Sequence, residues 1–203
     1  MKRTTIHVLT IALLLLAGAT ASVWTAGCGG DDEKAAFEQY LSDVRPALDE
    51  SLDGLETLAT ALETASQTDP PDFTVAGEGC TAASQKWASA QGKVEEIAPP
   101  DDLEKANESL SRSLTLQTDL YGKMGGILSQ AAGAVDDPAA MAGLATQIEK
   151  LDSDAVGDQV RQLTADWGNA VEARGYGLGV AAPTWLEDWS DAIDEAGRRL
   201  ESL

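Results

Sequence analysis

Residues 35–66 read AAFEQYLSDVRPALDESLDGLETLATALETAS. Leu41, Leu48, Leu55 and Leu62 recur every seven residues, and Phe37, Val44 and Leu58 fill the offset row, which Ser51 interrupts. A stripe of this period predicts a long helix that buries one face against other helices. Pro46 interrupts the register and is expected to kink the helix or to begin a second helical segment. Gly54 is a further weak point.

Outward from this stretch the pattern stays helical. Residues 67–79 hold Asp69-Pro70-Pro71-Asp72 and then Gly77 and Gly79, and read as a connection. Cys80, Ala83, Trp87, Ala90, Val94 and Ile97 then alternate in steps of three and four, which places a helix over about 81–98. Pro99-Pro100 ends it. Asp101, with Glu104 three residues on, reads as a capping box for a third helix through Leu103, Ala106, Leu110, Leu114, Gln117, Tyr121, Met124 and Leu128. Gly122, Gly125 and Gly126 either loosen that helix or permit close packing. Asp137 as cap and Pro138 as first helical residue start a fourth. Its stripe runs through Met141, Leu144, Ile148, Leu151, Ala155, Val160, Leu163, Trp167 and Val171, and it fades near residues 175–179. Thr184 and Glu187 form another capping box, ahead of a last helix with Trp185, Trp189, Ile193, Ala196 and Leu200 on one side.

No β-rich run and no internal repeat is visible. Ala and Leu favour helices, and aromatics supply only 5% of the chain. The fold class expected is all-α: an up-and-down bundle of four long helices plus a shorter C-terminal helix, after an N-terminal signal segment.

The N-terminus has its own grammar. Lys2 and Arg3 are followed by an apolar run over residues 6–19 that includes Leu13, Leu14, Leu15 and Leu16, and no charged residue occurs between Arg3 and Asp31. Basic start, apolar middle and small residues at the cut are the order of a secretion signal. The run then reaches Thr25-Ala26-Gly27-Cys28. This resembles the lipobox of bacterial lipoprotein precursors, with Thr25 standing where an aliphatic residue is usual. The resemblance implies that Cys28 receives a diacylglycerol on its thiol and that the chain is cut just before it. Residues 1–27 are then a lipoprotein signal peptide, 28–34 a flexible tether and 35–203 the helical domain. Two other outcomes stay open here: cleavage after Ala19 or Ala21, both preceded by A-x-A, and retention of the segment as an uncut anchor.

A second, shorter likeness lies at the proline corner. Ile97, Pro100 and Leu103 form an I-x-x-P-x-x-L pattern similar to one in uncharacterised helical bacterial lipoproteins, where two helices meet. The likeness spans about 20 residues and carries no activity with it.

The formal charge is −20, with 14 basic and 34 acidic residues. Loss of Lys2 and Arg3 with the signal leaves 12 basic against 34 acidic residues, near −22. Such a surface repels phosphate backbones, so nucleic acid is excluded as a partner. A cationic ligand or an envelope protein suits it better, alongside the membrane held through the lipid.

Side-chain inventory narrows the chemistry further. The one histidine, His7, lies in the signal, so the mature domain has no Ser-His-Asp or Cys-His machinery and no His-bearing zinc or di-iron site. The cysteines are Cys28 and Cys80. Lipid on Cys28 leaves Cys80 as a buried small hydrophobe, whereas a bare Cys28 could pair with it in an oxidising compartment. Asp152, Asp154, Gly157 and Asp158 invite comparison with a calcium loop, but the fifth position would be Val156 and the twelfth Leu163, so key ligands are missing. Glu187, Asp188, Asp191, Asp194 and Glu195 form an acidic face beside Trp185 and Trp189, and Arg198-Arg199 suit the C-terminal helix dipole.

No catalytic residue, cofactor site or metal site is assigned. The function expected is a non-enzymatic binding or structural role for a lipid-anchored extracytoplasmic protein at the cell envelope. The alternative is a small-ligand-binding protein with an interhelical pocket near Trp87, Trp167, Trp185 or Trp189. A third class, an envelope enzyme using paired carboxylates, requires two acids facing one cleft.

Overall fold

The computed structural model describes residues 30–201. The segment read from the sequence as a signal, and Cys28, lie outside the described residues. Within them the chain is all-α, an up-and-down bundle with no strand. Its helices are α1 (Asp31–Ser66), α2 (Phe73–Glu95), α3 (Glu104–Ala132), α4 (Pro138–Glu149), α5 (Ser153–Leu178) and α6 (Thr184–Glu201).

Helix α1 spans 36 residues, about 54 Å at 1.5 Å per residue. It begins at Asp31, so residues 31–34, read as tether, form its first turn. Asp31, Asp32 and Glu33 there face the positive end of the helix dipole. The helix also runs unbroken through Pro46. The proline removes one N–H, but Phe37, Val44, Leu48 and Leu58 on either side are all buried at 1% exposure or less. Burial of that stripe outweighs one lost hydrogen bond.

Helix α2 starts eight residues before the expected Thr81. Asp72 caps it, its carboxylate accepting from Thr74 N at 2.9 Å and Val75 N at 3.2 Å. Gly77 and Gly79, read as part of a connection, are buried inside the helix. They let α3 and α1 come close. A Cβ on Gly125 of α3 would lie 2.5 Å from Thr81 Oγ1 and 2.9 Å from the Gly77 carbonyl. Of the two readings of the α3 glycines, close packing is the one realised at Gly125. Gly54 is likewise a seat rather than a weakness. A Cβ there would meet the Trp87 indole at 3.2 Å, and that indole donates to Ser51 O at 3.1 Å. Ser51 and Gly54 interrupt the leucine stripe because Trp87 occupies their place.

The Asp101–Glu104 capping box does not form. Residues Asp101–Leu103 make a 3-10 turn closed by Leu103 N to Pro100 O at 2.8 Å, and no side chain caps it or α3. Leu103 is buried and Ile97 packs on the core, so the corner is held by apolar contact. Asp137 does cap α4, accepting from Ala139 N at 3.0 Å and Ala140 N at 3.1 Å, with Pro138 following.

The fourth expected helix is two. Asp152 adopts a left-handed conformation at φ 47° and separates α4 from α5. Asp tolerates that region better than most residues. The apolar stripe stays in phase through Leu151 and Ala155, so periodicity alone does not reveal the break. Helix α5 ends at Gly179, also left-handed, with Val180 N bonded to Gly175 O at 3.0 Å.

Helices α1, α2 and α3 form a tight antiparallel unit, and α5 packs on α3. Trp167 of α5 meets Tyr40 and Arg174 meets Glu33, so α5 runs antiparallel to α1. Trp189 of α6 meets Leu48 and Arg199 meets Glu63, so α6 runs parallel to α1 and covers its seam with α5.

Gly125→Val should lower unfolding stability by about 1–3 kcal/mol through overpacking. Gly126→Ala, where a Cβ meets nothing within 4 Å, should raise it by about 0.5–1 kcal/mol. Urea unfolding of the two variants separates close packing from general helix propensity.

Candidate functional site

The most connected group of polar side chains lies inside the bundle. The Trp167 indole donates to the Tyr40 hydroxyl at 2.9 Å, Tyr40 donates to Asn107 Oδ1 at 3.2 Å, and Asn107 Nδ2 donates to Val94 O at 3.2 Å. The chain crosses α5, α1, α3 and the end of α2. Each member sits on an apolar stripe, Asn107 falling one turn from both Leu103 and Leu110. Burial pushes the Tyr40 hydroxyl up to about 12, opposed by the Trp167 hydrogen bond. The Tyr40 hydroxyl both accepts and donates within the bundle, so it orders the core.

The tryptophans expected to line a pocket have the same fate. Trp87, Trp167 and Trp189 are at most 6% exposed. Their N–H groups go to Ser51 O, to Tyr40 and to Leu48 O, the last at 3.0 Å. Trp167 and Trp189 meet edge to face at 6.4 Å, and Trp87 lies against Tyr121 at 4.9 Å. Trp185 is half-buried beneath the Arg45 guanidinium, 5.6 Å from the ring centroid. These aromatics fill the spaces that small residues leave, as core does.

Cys80 is 0% exposed, and burial pushes its thiol up to about 12. Burial disfavours the thiolate, the form in which a cysteine acts as a nucleophile. Tyr121 beside it is also raised by burial, with a smaller contribution from Cys80.

Asp158 pairs with Arg161 rather than turning toward Asp152 and Asp154. Among the described residues no group of three or more His, Cys, Asp or Glu is placed to hold a metal ion. In α6, Glu195 takes Arg198 at 2.7 Å. Arg198 and Arg199 both lie in the last turn of α6, and Arg199 also grips Glu63 of α1 with two bonds of 2.8 Å. That hydrogen bonding holds the Glu63 carboxyl below its usual range.

An open groove of about 490 Å³ runs along α3, lined by Glu95, Asn107, Glu108, Ser111, Arg112, Thr115 and Leu116. Glu95 Oε1 accepts from Gln91 at 2.7 Å and from Ser111 at 3.2 Å. The groove contains no tryptophan, cysteine or lysine, and its groups can solvate a small polar molecule. Periodicity did not locate it, because it lies on the polar side of α3. Cys28, the one site residue assigned from the sequence, lies outside the described residues. No family model, curated protein or solved structure matches the chain.

Tyr40→Phe would leave the Trp167 N–H and Asn107 Oδ1 without their partner, at a cost of about 1–3 kcal/mol. The wild-type fold keeps protons on Tyr40 and Cys80 that the unfolded chain gives up from their ordinary values of 10.0 and 9.0. The folded state then binds more protons, so stability falls as pH rises from about 9 toward 12. Thermal melts across that window should show the fall, and it should be shallower in Tyr40→Phe. A flat profile in both would contradict the burial of these groups.

Proposed function

We propose that this chain is a lipid-anchored extracytoplasmic protein whose helical body serves a non-enzymatic binding or structural role at a bacterial envelope. The observation that carries the reading is the run Ala26-Gly27-Cys28, closing an apolar signal and lying three residues ahead of α1 in a chain whose other thiol is sealed in the core. Burial of Cys80 weighs against the competing Cys28–Cys80 pairing. The two acyl chains would supply the membrane attachment, at about 0.8 kcal/mol per buried CH₂. Among the described residues no helix is long and apolar enough to cross a membrane.

The pocket alternative has less support. It needs indoles facing a cavity, and three of the four have their faces and N–H groups engaged within the bundle. A binding role then falls to the outer surface, where the acidic charge suits a cationic ligand or a basic patch on an envelope protein.

Growth of a bacterial host with labelled fatty acid tests the anchor. The wild-type chain should take up label and enter the detergent phase, and Cys28→Ser should take up none. An unlabelled wild type in the aqueous phase would remove the anchor.

A further inference from the structure

We propose that the end of the bundle bearing the α1 N-terminus docks on the bilayer surface, with Tyr176 and the uncharged corner at residues 97–100 in the headgroup layer. The proposal rests on the lipid-anchor reading and names the partner of the anchored body as the lipid surface itself.

Three strands of the chain meet at this end. Arg174 near the end of α5 pairs with Glu33 in the first turn of α1 at 3.2 Å, and with Asp102 in the turn before α3 at 3.0 Å. The α1 N-terminus, the α2–α3 corner and the α5 C-terminus are thus fixed side by side. Cys28 precedes Asp31 by three residues, a reach of about 10 Å when fully extended. A lipid there leaves this end of the body nowhere to go but against the headgroups.

The chemistry of the end fits that position. Residues 175–180 at the end of α5 carry no charge, nor do residues 97–100, in a chain that is 24% charged. Tyr176 is 53% exposed, at the tip of α5. An aromatic ring with a polar edge is suited to the membrane–water boundary. Val135 is also exposed, at 44%, but at the opposite end and followed by Asp136 and Asp137. Asp31, Asp32, Glu96 and Asp101 flank the Tyr176 end, so its surface fits zwitterionic headgroups and is repelled by anionic ones.

The test uses the full lipidated protein on phosphatidylcholine vesicles containing a headgroup nitroxide lipid. A fluorophore is placed at Gly177→Cys beside Tyr176, or at Gly143→Cys in α4. A Cβ meets nothing within 4 Å at either site, and Cys80 is sealed from the reagent. The protein should float with the vesicles, and the label at 177 should be quenched at least twofold more than that at 143. Adding Tyr176→Asp to the Gly177→Cys protein should cut the quenching by half or more, while Tyr176→Phe should preserve it. Equal quenching at 177 and 143, or quenching indifferent to Tyr176→Asp, overturns the docking while floating protein keeps the anchor. Protein that does not float overturns both.

Discussion

The Tyr40 hydroxyl is the point on which the bundle closes. It receives the Trp167 indole from α5 and donates to Asn107 of α3, whose amide in turn reaches the Val94 carbonyl at the end of α2. Four segments distant in sequence share one connected set of buried polar groups. Apolar packing alone is indifferent to small slides of one helix past another. A buried hydrogen-bond chain is not, because each broken link leaves a polar group in a dry interior. Tyr40 therefore fixes the register in which the leucine stripes meet.

Around that point the bundle is built in two ways. On the α2–α3 side, Gly77 and Gly125 bring the backbones into close contact. On the α1–α5–α6 side, Trp167 and Trp189 span a wider gap edge to face. The tryptophans are spent on this second task, and Trp87 on filling the notch at Ser51 and Gly54. Three of the four aromatics that looked available for a ligand are thus buried parts of the core.

The all-α class and the core faces were legible because burial imposes a 3.6-residue period that no other element shares. Every residue of the α3 stripe from Leu103 to Leu128 is buried as the pattern implies. What misled was punctuation. Gly77 and Gly79 have the composition of a loop, but their small size serves helix contact. Pro46 is a breaker whose effect a long buried stripe overrides. The break at Asp152 turns on one backbone conformation that leaves the period untouched. Asp101 and Glu104 have the spacing of a capping box, but the prolines before them impose a 3-10 turn. The buried polar chain was half visible: Asn107 falls on a core face, yet nothing in one sequence says which hydroxyl meets it. The proposal for Cys28 rests on local sequence alone, because a processing signal is read before the chain folds.

The central claim is that the sulfur of Cys28 carries lipid while that of Cys80 stays a buried thiol. Intact mass of the mature protein, extracted from its own membrane and alkylated only after unfolding, reports both at once. The account predicts a chain that starts at Cys28, bears the mass of a diacylglycerol, and gains one alkyl group. A chain with no added lipid mass, or one joined to itself through both sulfurs, would contradict it.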